Sequence, residues 1–388
     1  MPELAELADI ILQKLTALFV IIDKQGQIEF VSPSVKKVLG FEPYTLMGDG
    51  WWQLTRDTGP ERDKAKSFAR ILLNSTSEEP VSFEHILKTA AGGHKWIAWS
   101  YSKGPDNSII GVGHDITERK HAEQQLEIKN RELQTKNTEI IDSIMYATRI
   151  QKAILPDVSS IKRSFKEAFV LYKPKDLVSG DFYWHFEKEG RTVVAAVDCT
   201  GHGVPGALMS VIANSILRDI VIKRNVLDAA EVLRLLDEEI LIALSKSDEG
   251  AAASDGLDIA LCIFDKEKSL LEFAGAFRPL LRVRDGEISE YRGNRYPIGF
   301  YQDVKKDFQA QHIEVQEHDT FYIFSDGYID QFGGEHGKKM NKPRFKELLL
   351  MVQSMDLEEQ EAFLEYSLLN WQQETEQTDD ILVIGVKY

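Results

Sequence analysis

Cysteine is scarce in this sequence, which contains only Cys199 and Cys262 among 388 residues. Two cysteines cannot form the disulfide framework of small secreted domains, and they cannot build a thiolate zinc cluster. No run approaches about 18 uninterrupted apolar residues, and no segment has the charged-then-apolar pattern of a signal peptide. The sequence therefore predicts a cytoplasmic protein without membrane insertion.

Positive charge is also in deficit, because 46 lysines and arginines face 62 aspartates and glutamates, giving a formal net charge of −16. Binding to a nucleic-acid backbone needs a basic surface, so we expect no nucleic-acid partner. The hydrophobic share of 43% and the charged share of 28% are typical of a soluble globular protein. The length predicts two domains with a connector.

The first zone, residues 1–117, alternates strand patterns and turns around a helical middle. Leu18–Asp23 and Ile28–Val31 form a hairpin pattern, and three further strand patterns follow the helical stretch. This order predicts an α+β domain with a five-stranded sheet. The closing Asp115-Ile116-Thr117-Glu118-Arg119, together with the strand order, resembles the end of a PAS sensor domain.

The resemblance leaves the ligand of the PAS-like zone unknown. The zone lacks cysteine, which argues against the flavin photochemistry of the subtype that needs a reactive cysteine. Its tryptophans and histidines either line a ligand pocket or fill an aromatic core, and haem on a histidine is a further alternative. These residues are Trp51, Trp52, His85, His94, Trp96 and Trp99.

The second zone, residues 118–155, has no proline or glycine, and apolar residues recur every seven positions. The repeating residues are Leu126, Leu133, Ile140, Ala147 and Ile154. With these residues at position d of a heptad, Asn130 and Asn137 lie at position a, which favours a parallel two-stranded register. We therefore predict a coiled coil that makes the chain a homodimer. The alternative is a single solvated helix lying on one domain.

The third zone follows Pro156 and contains strand patterns with two helical patterns, at Pro205–Arg224 and Asp228–Lys246. Acidic residues stand where strand patterns begin or end, and their carboxylates can converge at one sheet edge. Such a cluster is costly unless cations neutralise it. Oxygen ligands favour magnesium or manganese, and two such ions can activate a water for attack at phosphorus.

The motifs of this zone are, in chain order, Ser179-Gly180-Asp181-Phe182-Tyr183, Asp198-Cys199-Thr200-Gly201-His202-Gly203, Pro205-Gly206-Ala207, Asp255-Gly256-Leu257-Asp258, Arg278-Pro279, Pro297-Ile298-Gly299, Ser325-Asp326-Gly327 and Thr378-Asp379-Asp380. These motifs and their order resemble those of the bacterial, sporulation- and stress-response-type branch of the metal-dependent Ser/Thr protein phosphatases, the PPM family that includes SpoIIE and RsbU. The resemblance covers residues 165–388. It implies an α/β/β/α sandwich with two Mn²⁺ or Mg²⁺ ions between the sheets.

The resemblance also implies roles for particular residues. The implied catalytic and metal-binding carboxylates are Asp181, Asp198, Asp326 and Asp379. Asp198 would bridge both ions, and Cys199 would contribute its backbone carbonyl rather than its thiol. Asp255 or Asp258 could support a third ion.

Two departures and one ambiguity affect the substrate side of the site. The chain has Ala274-Gly275-Ala276-Phe277 where the family often has an Asn-Ala-Gly-His-type stretch. No arginine is evidently dedicated to phosphate, and Lys173 and Lys175 are the candidates ahead of the first acidic motif. His202 is either a general acid or a turn residue that satisfies the backbone.

The sequence thus predicts a phosphoserine/phosphothreonine phosphatase that acts on a separate phosphoprotein. The family resemblance favours a STAS-type anti-sigma-factor antagonist as that substrate. A catalytically idle dimeric scaffold and a small-molecule phosphatase are the alternatives. We expect the N-terminal domain to set the coiled-coil register and thereby move residues 144–155 against the two helices of the third zone.

Overall fold

The computed structural model describes residues 14, 16–77, 79–244, 255–300 and 305–388. The first thirteen residues of the predicted sensor domain therefore lie outside the described part, as do the last two positions of the helix predicted at Asp228–Lys246. The chain forms two units, residues 1–137 and 138–388. Each unit has its own hydrophobic core.

The first unit is built on one five-stranded antiparallel sheet with the order β2-β1-β5-β4-β3. Its strands are β1 (Leu18–Ile22), β2 (Ile28–Val31), β3 (Val81–Lys88), β4 (His94–Lys103) and β5 (Ile109–Asp115). Its α-helices before the linker are α1 (Ser34–Leu39), α2 (Gly50–Leu54) and α3 (Gly59–Asn74), and single 3₁₀ turns lie at Pro43–Leu46 and Pro105–Asn107. The predicted five-stranded α+β domain is confirmed.

Local chemistry explains where the main helix of this unit begins. Thr58 and Glu61 form a reciprocal capping box at the N-terminus of α3, which satisfies backbone N–H groups that would otherwise lack partners. In the core, Trp51 and Trp99 pack edge to face with ring centroids 5.7 Å apart. This contact fastens α2 to β4 on one side of the sheet.

Helix α4 (Thr117–Ile154) runs without a break through the segment predicted as a linker. Leu126, Leu133 and Ile140 are 61%, 58% and 57% exposed. Gln151, which the heptad assigns to a seam position, is instead buried within the second unit. These exposed residues of the heptad lie in the first two thirds of the helix.

The second unit contains two five-stranded sheets with the orders β13-β10-β9-β8-β7 and β12-β11-β14-β17-β6, and every strand pair in them is antiparallel. The first sheet consists of β7 (Phe182–Lys188), β8 (Arg191–Cys199), β9 (Leu257–Asp265), β10 (Leu270–Ala276) and β13 (Gln311–Glu314). The second consists of β6 (Glu167–Lys173), β11 (Leu280–Arg284), β12 (Glu287–Tyr291), β14 (Thr320–Phe324) and β17 (Ile381–Lys387). A short hairpin pairs β15 (Phe332–Gly333) with β16 (Lys338–Lys339).

Helices cover the outer faces of both sheets. They are α6 (Gly203–Leu217), α7 (Ala229–Leu244), α8 (Gly327–Asp330), α9 (Lys342–Met351) and α10 (Leu357–Gln372). The preceding helix, α5 (Val158–Ser164), instead packs Ile161 into the core between the sheets. Along β8, Val193 and Val197 pack toward α6 and α7, whereas Val194 packs toward the second sheet, as the two-residue period of a strand requires. The predicted α/β/β/α sandwich is confirmed.

Helix α6 continues as a π-helical segment, Arg218–Lys223. In the described part of the chain, Gly203–Lys223 is the one helix long and apolar enough to cross a membrane, and half of its most apolar window is buried inside the protein. Met209, Ala213 and Leu217 pack into the core beneath the first sheet. A core helix of a soluble protein meets the same criterion of length and composition.

Candidate functional site

The centre of the site is an antiparallel pair of strands that places two carboxylates opposite each other. Asp198 at the end of β8 is paired in register with Asp258 at the start of β9. Like charges that face each other across a strand pair are destabilising. The pair therefore needs a cation nearby.

Arg278, in the loop between β10 and β11, supplies a positive charge at this point. Its Nη2 lies 2.8 Å from Oδ2 of Asp198, 2.9 Å from Oδ2 of Asp258 and 2.7 Å from Oδ2 of Asp326. Burial alone would lower the pKa of Arg278, but the three carboxylates raise it above its ordinary value. The guanidinium is therefore a permanent cation inside the acidic cluster, and its buried Nε has no hydrogen-bond partner.

Arg278-Pro279 is one of the sequence motifs, but the motif did not indicate that Arg278 contacts the acidic cluster. The two lysines proposed in its place have other contacts. Lys173 pairs with Glu365 at 2.5 Å, and Nζ of Lys175 lies 3.3 Å from Nε2 of His202. An arginine next to a proline in a loop gives no local signal of its target, so only the fold identifies it.

Asp181 is almost fully buried, at 3% exposure, immediately before β7. Its backbone N–H donates to Oγ of Ser179, and its carbonyl accepts from the hydroxyl of Tyr172. These bonds hold the turn, while the carboxylate oxygen Oδ2 is buried without a hydrogen-bond partner. Burial raises the pKa of Asp181 well above its usual range, and the charge of Asp198 raises it further.

The adjacent acidic residues before β17 have different surroundings. Asp380 is buried, and its two carboxylate oxygens accept from the backbone N–H groups of Lys175 and Gly180, each at 2.7 Å. Asp379 is exposed at the rim, where partial loss of hydration and the charges of Asp326 and Asp380 raise its pKa. Asp380 thus fixes the loop that carries Asp181, whereas the Asp379 carboxylate accepts from the backbone N–H of Asp380 at 2.8 Å.

Glycine is required where two turns of the site touch. A Cβ on Gly206 would lie 2.1 Å from the carbonyl oxygen of Gly201, and one on Gly180 would lie 2.5 Å from the same atom. The turn after β8 therefore packs its backbone directly against the loop before Asp181. The carbonyl oxygen of Cys199 lies 3.1 Å from the Cβ position of Gly180, whereas the Cys199 thiol is buried, which raises its pKa.

His202 is held at the edge of the turn. Its Nδ1 lies 2.8 Å from Oδ2 of Asp176, and more than half of its side chain is exposed. The contact orients the imidazole beside Lys175. Asp255, the other residue considered for a third ion, is exposed and accepts a long hydrogen bond of 3.4 Å from Thr200.

The fold holds the carboxylates of the cluster close together although their charges repel one another. Burial raises the pKa of Asp198 to about 7, with Arg278 opposing and Asp326 and Asp258 adding to the increase. Burial likewise raises the pKa of Asp258 to about 6. Near neutral pH the cluster therefore favours either protons or additional cations.

The donor chemistry of these residues fits a hard divalent cation. Asp181, Asp198, Asp326 and Asp379 offer carboxylate oxygens, and one of them is a buried oxygen without a partner. Within the described ranges, no three acidic, histidine or cysteine side chains already have their atoms arranged around a metal position. The carboxylate donors thus lie in one cluster, but they do not form a preformed metal site. Arg278 lies among three of these carboxylates.

The aromatic and histidine residues singled out in the first unit separate into three places. Trp51 and Trp99 belong to the core. Trp52 and His85 line a cavity of about 360 Å³. His94 and Trp96 line a wider depression of about 630 Å³, together with exposed charged residues.

A two-sheet sandwich with an aspartate cluster at the ends of β8 and β14 defines a phosphatase of the PP2C class. Residues 188–388, more than half of the chain, match the family described as Stage II sporulation protein E (SpoIIE), and residues 16–118 match the PAS domain family. The chain belongs to the SpoIIE family of metal-dependent serine/threonine phosphatases and carries a PAS sensor domain. Members of the wider PPM family use Mn²⁺ or Mg²⁺.

Three solved structures illustrate the similarity. The SiaA-PP2C domain of Pseudomonas aeruginosa is 34% identical, with a TM-score of 0.60, and the match covers 65% of this chain and 98% of that one. The phosphatase domain and regulatory fragment of SpoIIE from Bacillus subtilis is 18% identical, with a TM-score of 0.45, over 57% of this chain and 62% of that one. The RsbU and RsbW domains of a Mycobacterium tuberculosis protein are 19% identical, with a TM-score of 0.46, over 57% and 59%. No curated protein sequence matches the chain.

Proposed function

We propose that this chain is a signal-regulated protein phosphatase that hydrolyses phosphoserine or phosphothreonine in a separate protein. The PAS domain would control it through a dimeric coiled coil. In this proposal residues 1–117 are the sensor, residues 118–155 the linker and residues 165–388 the phosphatase. The observation that carries the proposal is the gathering of strand-end carboxylates around Asp198, where Arg278 contacts three of them.

The aspartates are proposed to hold two Mn²⁺ or Mg²⁺ ions, with a third as an option at Asp258. When bound, such ions neutralise the carboxylates and lower the pKa of a water that attacks phosphorus. The proposed ligands are the carboxylates of Asp181, Asp198, Asp326 and Asp379 and the backbone carbonyl of Cys199. The buried unpartnered oxygen of Asp181 and the position of the Cys199 carbonyl beside Gly180 support this assignment.

Arg278 is proposed to bind the phosphoryl group of the substrate. Its guanidinium is charged at every relevant pH, and its Nε carries an N–H that nothing in the described part of the chain accepts. Guanidinium groups form paired, charge-assisted hydrogen bonds to phosphate oxygens. The same side chain reduces the repulsion among Asp198, Asp258 and Asp326, so it both organises the carboxylates and attracts the dianionic substrate.

The family and the architecture support one class of partner for this proposal. A phosphorylated STAS-type anti-sigma-factor antagonist is the proposed substrate. Phe277, the residue before Arg278, is 51% exposed. An exposed aromatic residue beside the reacting centre favours contact with a protein surface.

Dimerisation is supported by the exposed apolar residues in the first two thirds of α4. Leu126, Leu133 and Ile140 recur every seven residues and are more than half exposed. A second copy would bury them in a parallel coiled coil. Because Gln151 near the end of α4 is buried in its own phosphatase unit, we limit the proposed seam to about the first three heptads.

Regulation is supported by one buried side chain at the other end of α4. Gln151 accepts from the backbone N–H of Ser179 at 3.1 Å, and its amide donates to the carbonyl of Ser179 and to Oγ of Ser210 on α6. Rotation or translation of α4 would therefore displace the loop before Asp181 and the helix that follows the glycine turn. A change of a few kcal/mol in these contacts suffices to shift activity.

The direct test is hydrolysis of p-nitrophenyl phosphate and of a phosphoserine peptide by the full chain with Mn²⁺. Asp198→Asn and Asp326→Asn should each lose most of the activity. Asp330→Asn is the matched control, since Asp330 pairs with Lys339 outside the cluster. Activity that survives both cluster substitutions would reject the metal mechanism.

The alternatives give different results in the same assay. A catalytically idle scaffold would show no Mn²⁺-dependent turnover in the wild type. A small-molecule phosphatase would prefer free nucleotides or sugar phosphates to the phosphopeptide. Preference for a phosphorylated STAS-type protein over an unrelated phosphopeptide would support the proposed partner.

A further inference from the structure

The PAS unit contains a cavity of about 360 Å³ between α3 and the sheet. Its apolar lining comes from Ile22, Trp52, Phe68, Phe83 and Tyr101. This volume lies in the range of small-molecule sites, which are mostly apolar with a few polar groups that orient the ligand. The wider depression on the same unit shares Arg56, Glu61 and His85 with this cavity, but more of its lining consists of charged side chains.

One cation lies in the wall of this cavity. Arg56 also lines it and is only 8% exposed. Its Nη1 donates to the carbonyl and hydroxyl oxygens of Thr55, while its Nε is buried without a partner. Across the part of the chain that the structure describes, Arg56 forms no ion pair with a carboxylate.

Burying an unpaired cation is unfavourable, because the charge loses hydration and gains no partner. Burial destabilises the charged form of Arg56 and lowers its pKa to about 10, but the guanidinium is still charged at neutral pH. Such a group is retained at a cost in stability. An anion that enters the cavity would remove that cost.

The other titratable groups around the cavity leave it with a net positive charge. Glu61 lines it and its negative charge acts on Arg56, while its carboxylate accepts from the backbone N–H groups of Asp57 and Thr58 at the start of α3. Lys64 adds a second positive charge. Burial and the charge of Arg56 lower the pKa of His85 to about 4, so His85 is neutral. The cavity is therefore cationic at neutral pH.

We propose that this cavity binds a small organic carboxylate, with its aromatic or branched apolar body among Trp52, Phe68 and Phe83 and its carboxylate on Arg56. A guanidinium and a carboxylate form a paired, charge-assisted contact that is strongest where water is excluded. The apolar lining disfavours a bare inorganic anion, which would lose hydration without burying apolar surface. We therefore expect the ligand to contain both an apolar body and a carboxylate.

The cavity is linked to the start of the linker helix through β3. Phe83 and His85 line the cavity from β3, whereas Glu84 between them does not. Glu84 pairs with Lys120 at 2.5 Å and with Arg119, both in the first turn of α4. A ligand on Arg56 therefore contacts the strand that is tied to the helix.

The test is isothermal titration of the full chain with 4-phenylbutyrate and its neutral amide, 4-phenylbutyramide. We expect the carboxylate to bind at least about tenfold more tightly than the amide, since a hydrogen-bonded charge pair is worth that much. Arg56→Met should remove this preference while leaving the weak amide binding. Lys64→Met, which removes a charge from the rim, should change the preference by less than Arg56→Met.

A second variant separates binding from folding. Ala65→Leu keeps Arg56 but fills the cavity, and it should abolish binding of both compounds while thermal unfolding still shows a folded PAS unit. The proposal is overturned if the amide binds the wild type as tightly as the carboxylate, if neither compound binds, or if Arg56→Met retains the preference. Should Arg56→Met fail to fold, the wild-type comparison and Ala65→Leu still decide.

Discussion

Nη2 of Arg278 lies 2.8 Å from Oδ2 of Asp198, and this contact joins the loop after β10 to the end of β8. Asp198 stands opposite Asp258 across two strands, so the arginine offsets a repulsion that the register of the sheet creates. The chain thus carries its own cation in the acidic cluster. Arg278 should therefore affect both metal affinity and substrate binding.

Replacement of Arg278 by methionine should reduce kcat/KM for a phosphoserine peptide on the order of 10²-fold, the cost of losing one preorganised charge-stabilising donor. The same change should increase the affinity for Mn²⁺, because a competing positive charge is gone. Steady-state kinetics and calorimetric Mn²⁺ titration measure the two effects. Arg292→Met, at an exposed position, is the control. Unchanged kinetics and metal affinity in Arg278→Met would contradict this role.

Divalent metal should stabilise the phosphatase unit independently of catalysis. A ligand at a hundred times its dissociation constant adds about 2.7 kcal/mol to the free energy of unfolding when it binds only the folded state. Calorimetry of the full chain with and without Mn²⁺ should therefore show a higher melting temperature for one transition. Asp198→Asn should abolish the increase and Asp330→Asn should retain it. An equal increase in both variants would point to metal bound elsewhere.

Gln151→Leu should uncouple the linker helix from the site. The change leaves the backbone N–H and carbonyl of Ser179 without their partners, which costs about 1–3 kcal/mol. We expect a lower melting temperature and reduced turnover of p-nitrophenyl phosphate, because Ser179 precedes Asp181. Gln124→Leu, on the exposed part of the same helix, should change neither quantity. Full turnover in Gln151→Leu would show that this contact does not support the site.

Leu133→Glu should weaken the dimer by placing a charge in the proposed seam. Analytical ultracentrifugation should show dissociation at protein concentrations where the wild type is dimeric. Thr135→Glu makes the same change in charge at an exposed position two residues away, at heptad position f, and should leave the dimer intact. A wild-type monomer, or equal effects of both variants, would reject the coiled coil.

The PAS unit should lose stability in mild acid through His85. Burial lowers the pKa of His85 to about 4 from 6.5, so the unfolded state binds the proton more tightly than the folded state. This contribution is fully present above pH 6.5 and is lost as the pH falls from about 6.5 to 4. Thermal unfolding at several pH values should show a smaller loss for His85→Gln than for the wild type. His114→Gln, exposed on β5, should keep the wild-type decrease.

Local hydrophobic patterns and motifs in the sequence were sufficient to predict some of the secondary-structure elements and part of the site. Alternating and heptad periodicities identified the five strands of the first unit and the long linker helix, and motif order indicated the sandwich and its aspartates. β6, β7, β12 and β13 and the helices α9 and α10 were not foreseen. The hydrophobic patterns of these strands and helices are too short or too continuous to show a period. The buried face of each element is therefore set only by the layer that it covers.

The tertiary structure decided which side chains meet. Arg278 reaches Asp198 because β10 and β8 both pair with β9, and Asp380 binds the N–H of Gly180 across 200 positions of sequence. The packing of distant segments likewise brings Gln151 to Ser179 and places Arg56 in the wall of its cavity. Periodicity reports which face of an element is buried, whereas a contact depends on strand register and on the packing of distant segments. The joint order of the motifs therefore predicted the aspartates, but it did not predict the arginine among them.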